Sequence, residues 1–93
     1  MNILEEADQV TGGARNQAYG NPRENHGRTA ALWTSYLWGK YPNESKPLLD
    51  ADDVCYMNIL QKMSRAMHDP EHRDSWVDIA GYARNLEMMR EPQ

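Results

Sequence analysis

Four times in this chain an Asn or Asp stands where a helix would be started or stopped. Asn2 is followed three residues on by Glu5, Asn21 by Pro22 and Glu24, Asp50 by Asp53, and Asp69 by Pro70. A short side-chain oxygen at such a position accepts from an otherwise unpaired backbone N–H, an acid three residues later reaches back, and proline suits the first helical position. Between these signals apolar residues recur every three or four positions, and no segment alternates as a strand would. The chain therefore predicts four helices joined by short links, a single all-α domain over residues 1–93 folded as a small antiparallel four-helix bundle.

The first helix is expected over about residues 3–16, with Ile3, Leu4, Ala7, Val10 and Ala14 on one side and an early end or kink at Gly12-Gly13. The second should run from Pro22 to about Trp38, with His26, Thr29, Ala30, Trp33 and Leu37 facing in and Glu24, Arg28, Ala31 and Ser35 facing out. Gly39 through Leu49, with Pro42 and Pro47, is a loop. Asp50 caps a third helix whose apolar face is Tyr56, Ile59, Leu60, Met63, Ala66 and Met67, with Lys62 and Arg65 about a turn apart on the remainder. Asp69-Pro70 opens a fourth, reaching roughly Arg90. On its wheel Trp76, Ile79, Ala80, Ala83 and Leu86 form a packing face, and Glu71, Asp74, Asp78, Gly81 and Asn85 lie opposite, with Gly81 read as room for a neighbouring helix.

A chain of 93 residues buries only roughly 60–65% of its unfolded surface, so association is a natural supplement and a homo-oligomer is expected. A net charge of −4 argues against generic nucleic-acid binding, which wants a basic surface. The single cysteine, Cys55, excludes an internal disulfide and reads as a small buried side chain. No signal-peptide pattern and no apolar run of membrane-spanning length occurs, so the expected location is the cytoplasm, with no membrane partner.

The ordered segments Ile3-Leu4-Glu5-Glu6-Ala7, Thr11-Gly12-Gly13-Ala14-Arg15, Tyr19-Gly20-Asn21-Pro22, Glu24-Asn25, Ala31-Leu32-Trp33, Asp53-Val54, Lys62 and Asp74-Ser75-Trp76-Val77-Asp78-Ile79-Ala80-Gly81-Tyr82 resemble an uncharacterised family of small phage and prophage proteins. That likeness would place the chain in a host cytoplasm. More remotely, the acidic helix ending in Asp78-Ile79-Ala80-Gly81-Tyr82 and the upstream Tyr19-Gly20 turn are similar to all-α nucleoside triphosphate pyrophosphohydrolases of the MazG kind. This second resemblance implies helical oligomers that hold Mg²⁺ on a Glu-Glu-x-x-Glu and a Glu-x-x-Asp motif. Glu71-His72-Arg73-Asp74 has the second spacing, whereas Gln9 stands in the place of the first motif's last acid.

Splitting a nucleoside triphosphate needs neutralised phosphates and an oriented water, which carboxylate-held Mg²⁺ supplies. Glu71, Asp74 and Asp78 fall within about 60° of one another on a helix, and Glu24 is the candidate from across the bundle. Glu24, Asp74 and Asp78 are thus the expected metal ligands and catalytic residues. For the substrate the candidates are Arg15, Lys62 and Arg65 on phosphate oxygens, Tyr19 stacked on a base, and Asn25 and His26 beside Glu24. Each has a plainer alternative: Glu24 as a capping acid, Lys62 and Arg65 as ion-pair partners of Asp74 or Asp78, and His26 as a hydrogen-bonded core residue. Two functions follow. One is a Mg²⁺-dependent nucleotide pyrophosphohydrolase; the other is a non-catalytic helical oligomer that binds a nucleotide-like small molecule or a host protein in phage–host interference.

Overall fold

The computed structural model describes residues 1–12, 18–43 and 48–92. They form helices α1 (Ile3–Thr11), α2 (Pro22–Lys40), α3 (Ala51–His68) and α4 (Arg73–Met88), and no strand occurs among the described residues. The chain is all-α, as its start signals predict.

Those signals act as local chemistry requires. Asn2 Oδ1 accepts from the Glu5 N–H at 2.9 Å while Glu5 Oε1 accepts from the Asn2 N–H at 3.2 Å. The same reciprocal box joins Asp50 and Asp53, at 2.9 and 3.0 Å. Asn21 Oδ1 accepts from the Glu24 N–H at 2.9 Å, with Pro22 in the first helical position. Each box satisfies donors that a helix start leaves open. Helix α1 ends at Thr11 with Gly12 as its C-cap, the early end expected at the glycine pair. Glycine costs about 1 kcal/mol in a helix, and a pair of them halts it; positions 13–16 of the expected helix lie outside the described residues.

The Asp69-Pro70 signal behaves differently. Asp69 closes α3, but α4 begins only at Arg73. Between them Asp69 Oδ1 accepts from the Glu71 N–H at 3.1 Å and Asp69 O accepts from the His72 N–H at 3.1 Å, an Asx turn that consumes the cap before a helix can use it. Glu71 is therefore a turn residue, and the expected helical row Glu71, Asp74, Asp78 loses its first member.

Helix α4 is central. α1 packs on one side of it and α3 on another, α2 packs on α3, and α2 touches α4 only lightly. The partners Glu6–Arg73 and Asp8–Arg84 advance together along α1 and α4, so these helices run parallel. Asp52–Arg90 and Lys62–Asp78 run in opposite order, so α3 and α4 are antiparallel. The bundle is open and flat: 49 × 37 × 21 Å, with a radius of gyration of 14.7 Å against about 12 Å for a compact chain of this length.

Among the described residues the core is made mostly of small side chains, Ala7, Ala30, Val54, Cys55, Ala66 and Val77 with Thr11, Thr34 and Ser75, and of the larger Met89 and His26. α2 presents the expected face, His26 and Ala30 being buried and Glu24, Arg28, Ala31 and Ser35 exposed. On α3 and α4 the structure keeps the expected faces only in part: Ala66 is buried and Ile59, Ile79, Ala80 and Leu86 are half-buried, but the larger members turn outward. Trp76 is 41% exposed, its indole Nε1 donating to Pro70 O at 2.9 Å, and Ala83 is exposed as well. Val77 and Gly81 are buried instead, and Asp78 and Asn85 turn inward. On α3 the buried positions are Val54, Cys55 and Ala66, while Tyr56, Leu60, Met63 and Met67 stand out in solvent. The wheel places apolar residues inward; here α4 is gripped from two sides, and its small and hydrogen-bonding residues fill those contacts.

Candidate functional site

Three of the expected substrate-binding residues meet. Tyr19, Asn25 and His26 line a cleft of about 260 Å³ together with Thr11, Gly20, Pro22, Tyr82 and Asn85. Each wall has a local cause. Thr11 is the last residue of α1, where its hydroxyl donates back to Ala7 O at 2.8 Å. Gly20 takes φ of +87°, a left-handed turn that brings the chain onto the Asn21 cap, and a Cβ there would lie 3.1 Å from Glu24 Oε2. Tyr19 is 60% exposed at the rim, and Arg28 Nη2 donates to its carbonyl at 2.9 Å. The Asn21 cap starts α2, which carries Asn25 and His26 into the cleft. α4 supplies Tyr82 and Asn85.

His26 is buried, and its ring centroid lies 5.9 Å from that of Tyr82, tilted by 55°. Asn85 Nδ2 and His26 Nε2 are 3.1 Å apart, the amide donating to the neutral imidazole. Burial pushes the His26 pKa below its ordinary value of 6.5, because a charged ring there would lose its water. The cleft thus presents an uncharged imidazole, two carboxamides and two phenol rings: hydrogen-bonding edges and π faces. Sequence reasoning missed Thr11, Gly20, Tyr82 and Asn85 as lining residues. The Tyr19-Gly20-Asn21-Pro22 turn pointed to the mouth; nothing local showed that α4 would turn Tyr82 and Asn85 inward.

Asp74 and Asp78 do not line this cleft, and Glu24 stands behind its Gly20 wall. Lys62 Nζ lies 2.9 Å from Asp78 Oδ2 across α3 and α4, with side chains only 17% and 28% exposed. The expected ion-pair alternative therefore holds for this couple. Asp74 is exposed and has no hydrogen bond or ion pair among the described residues. Glu24 is exposed, and its Oε1 accepts from the Asn21 side-chain Nδ2 at 3.1 Å, so it braces the cap residue's side chain without closing a reciprocal box on the backbone. Arg65 is exposed and forms no ion pair among the described residues. Arg15 lies outside the described residues. Among the described residues no three His, Cys, Asp or Glu side chains come together to hold a metal ion, so Glu24, Asp74 and Asp78 do not meet on one Mg²⁺ there.

Arginines fasten the helices around the site. Arg73 pairs with Glu6 and donates to Met1 O at 2.8 Å, and Arg84 reaches Asp8 at 3.4 Å, Glu87 at 2.8 Å and Glu91 at 3.1 Å. Arg90 pairs with Asp52, joining the ends of α4 and α3, and Arg23 donates to Met89 O at the foot of α2. No helix of the described residues is long and apolar enough to cross a membrane.

Two phage proteins are similar along nearly the whole chain. The "Gene 55 protein" of Mycobacterium phage L5 is 44% identical over 93 residues, all of this chain and 55% of that protein. The "Gene 55 protein" of Mycobacterium phage D29 is 42% identical over 89 residues, 96% of this chain and 54% of that protein. The chain spans about half the length of these curated relatives. No solved structure matches it. The family model described as "Domain of unknown function (DUF6378)" matches residues 2–90, and the chain belongs to that family.

Proposed function

We propose that the chain is a non-catalytic helical binding module of a phage protein, and that its cleft takes the base end of a nucleotide-like small molecule. The observation that carries this reading is the convergence of Tyr19, Asn25, His26, Tyr82 and Asn85 from three segments on one cleft. Amide and imidazole groups suit the edge of a heterocycle, and phenol rings suit its face. The volume of about 260 Å³ lies below the roughly 300–1,000 Å³ usual for small-molecule pockets, which fits a base or nucleoside rather than a whole triphosphate. Phosphates would project outward past Tyr19.

The pyrophosphohydrolase reading, with Mg²⁺ on Glu24, Asp74 and Asp78, asks for more. It needs Asp78 released from Lys62 and Glu24 released from the Asn21 side chain, with both drawn to Asp74. Binding in the cleft leaves both of those contacts in place.

Calorimetric titration with a panel of nucleosides and ribo- and deoxyribonucleotides tests the proposal. At least one should bind, and His26→Ala with Asn85→Ala should weaken it at least tenfold. A panel that shows no binding overturns the reading. Mg²⁺-dependent pyrophosphate release that is lost in Asp78→Asn replaces it with the hydrolytic one.

A further inference from the structure

Helix α3 leaves one side without cover. Tyr56, Met57, Leu60, Met63 and Met67 are 51%, 43%, 65%, 46% and 83% exposed, which makes their side the most apolar surface of α3 and the least buried. Tyr56, Leu60, Met63 and Met67 are spaced four, three and four residues apart, the 3.5-residue period of a helix–helix seam. We propose that this stripe is a self-association surface that seats the same stripe of a second copy of this chain.

The stripe itself argues for that occupant. Ser64 flanks its middle without charge and Lys62 turns away to Asp78; the two carboxylates at its N-terminal end are engaged within the chain, Asp52 with Arg90 and Asp53 with the Asp50 N–H, so the middle of the stripe meets its copy without like charges. At about 200 Å² for a fully exposed large side chain, the five residues offer about 600 Å². Two such stripes face to face bury about 1,200 Å², the lower bound of specific, stable interfaces. Methionines at the seam adapt to one another's shape, which suits a surface packing on its own copy. A lipid surface is a poor occupant: amphipathic membrane helices carry many cations on the polar face, and this chain has a net charge of −4. Lys62 and Asp52 of α3 are turned to Asp78 and Arg90 of the same chain, and Arg65 lies on the side of the helix away from the stripe. This inference is independent of the cleft and of any ligand.

Sedimentation equilibrium of the chain over a hundredfold concentration range tests it. A dimer mass is expected. Met67→Asp, at the most exposed position of the stripe, should give a monomer with unchanged helical circular dichroism, and Leu60→Asp should raise the dissociation constant at least 100-fold. Leu4→Asp, at an equally exposed site on α1, should leave the dimer intact. A monomeric wild-type chain overturns the proposal, as does a dimer that survives both α3 substitutions or one that Leu4→Asp breaks as effectively.

Discussion

His26 couples the candidate cleft to pH. Its imidazole is held neutral by burial, so its folded pKa lies below the ordinary value of 6.5 of the unfolded chain. Below pH about 6.5 the unfolded state takes up the proton first, so this contribution to stability is present above that pH and is lost as pH falls. Melting temperatures measured from pH 7.5 to 5 should decline more steeply for the wild type than for His26→Gln, which has no proton to gain. Cys55 is the second residue whose surroundings decide its chemistry. It is fully buried, and burial, aided by the nearby Asp52 carboxylate and opposed by Arg90, pushes its thiol up to about 11. The thiolate is the reactive form, so alkylation of the folded chain at pH 8 should be many times slower than in denaturant, as followed by mass spectrometry.

At the scale of the helix, the Lys62–Asp78 pair joins α3 to α4 through partly buried charges. Lys62→Met or Asp78→Leu alone leaves the other charge unmatched and should cost about 1–3 kcal/mol in denaturant melts, whereas the double variant should cost less than the sum. Trp76→Ala should cost about 1 kcal/mol, since the indole is 41% exposed, well short of the roughly 3–5 kcal/mol of a fully buried aromatic. Gly81 does not need to be glycine: a Cβ would meet Thr11 Cγ2 at 3.6 Å, an ordinary contact. Gly81→Ala should therefore raise stability by about 0.5–1 kcal/mol through helix propensity. These elements also mark what can be read from the chain alone. The caps at Asn2, Asn21 and Asp50 were legible because each is settled by residues three apart. The faces of α3 and α4 were legible only in part, Ala66 and Ile79 among them, because which side of a helix is covered depends on neighbours distant in sequence. Tyr19, Asn25 and His26 were singled out one by one, and nothing near them in the chain showed that they share a cleft with Tyr82 and Asn85, which come from a helix some sixty residues on.

For the whole molecule, the open order of helices decides how it comes apart. α4 is packed by α1 and α3, whereas α1 depends chiefly on α4 and on the arginine pairs Arg73–Glu6 and Arg84–Asp8. Ion pairs of this exposure are worth little each and weaken with salt. The amides of α1 should therefore exchange with deuterium earlier than those of α4, and earlier still at high ionic strength, while α3 and α4 exchange together. Since Thr11 closes one wall of the cleft, each departure of α1 unmakes that wall. Any ligand held there would slow the exchange of a helix it touches at a single residue, so the lifetime of the α1 amides becomes a meter of occupancy that needs no knowledge of what the ligand is.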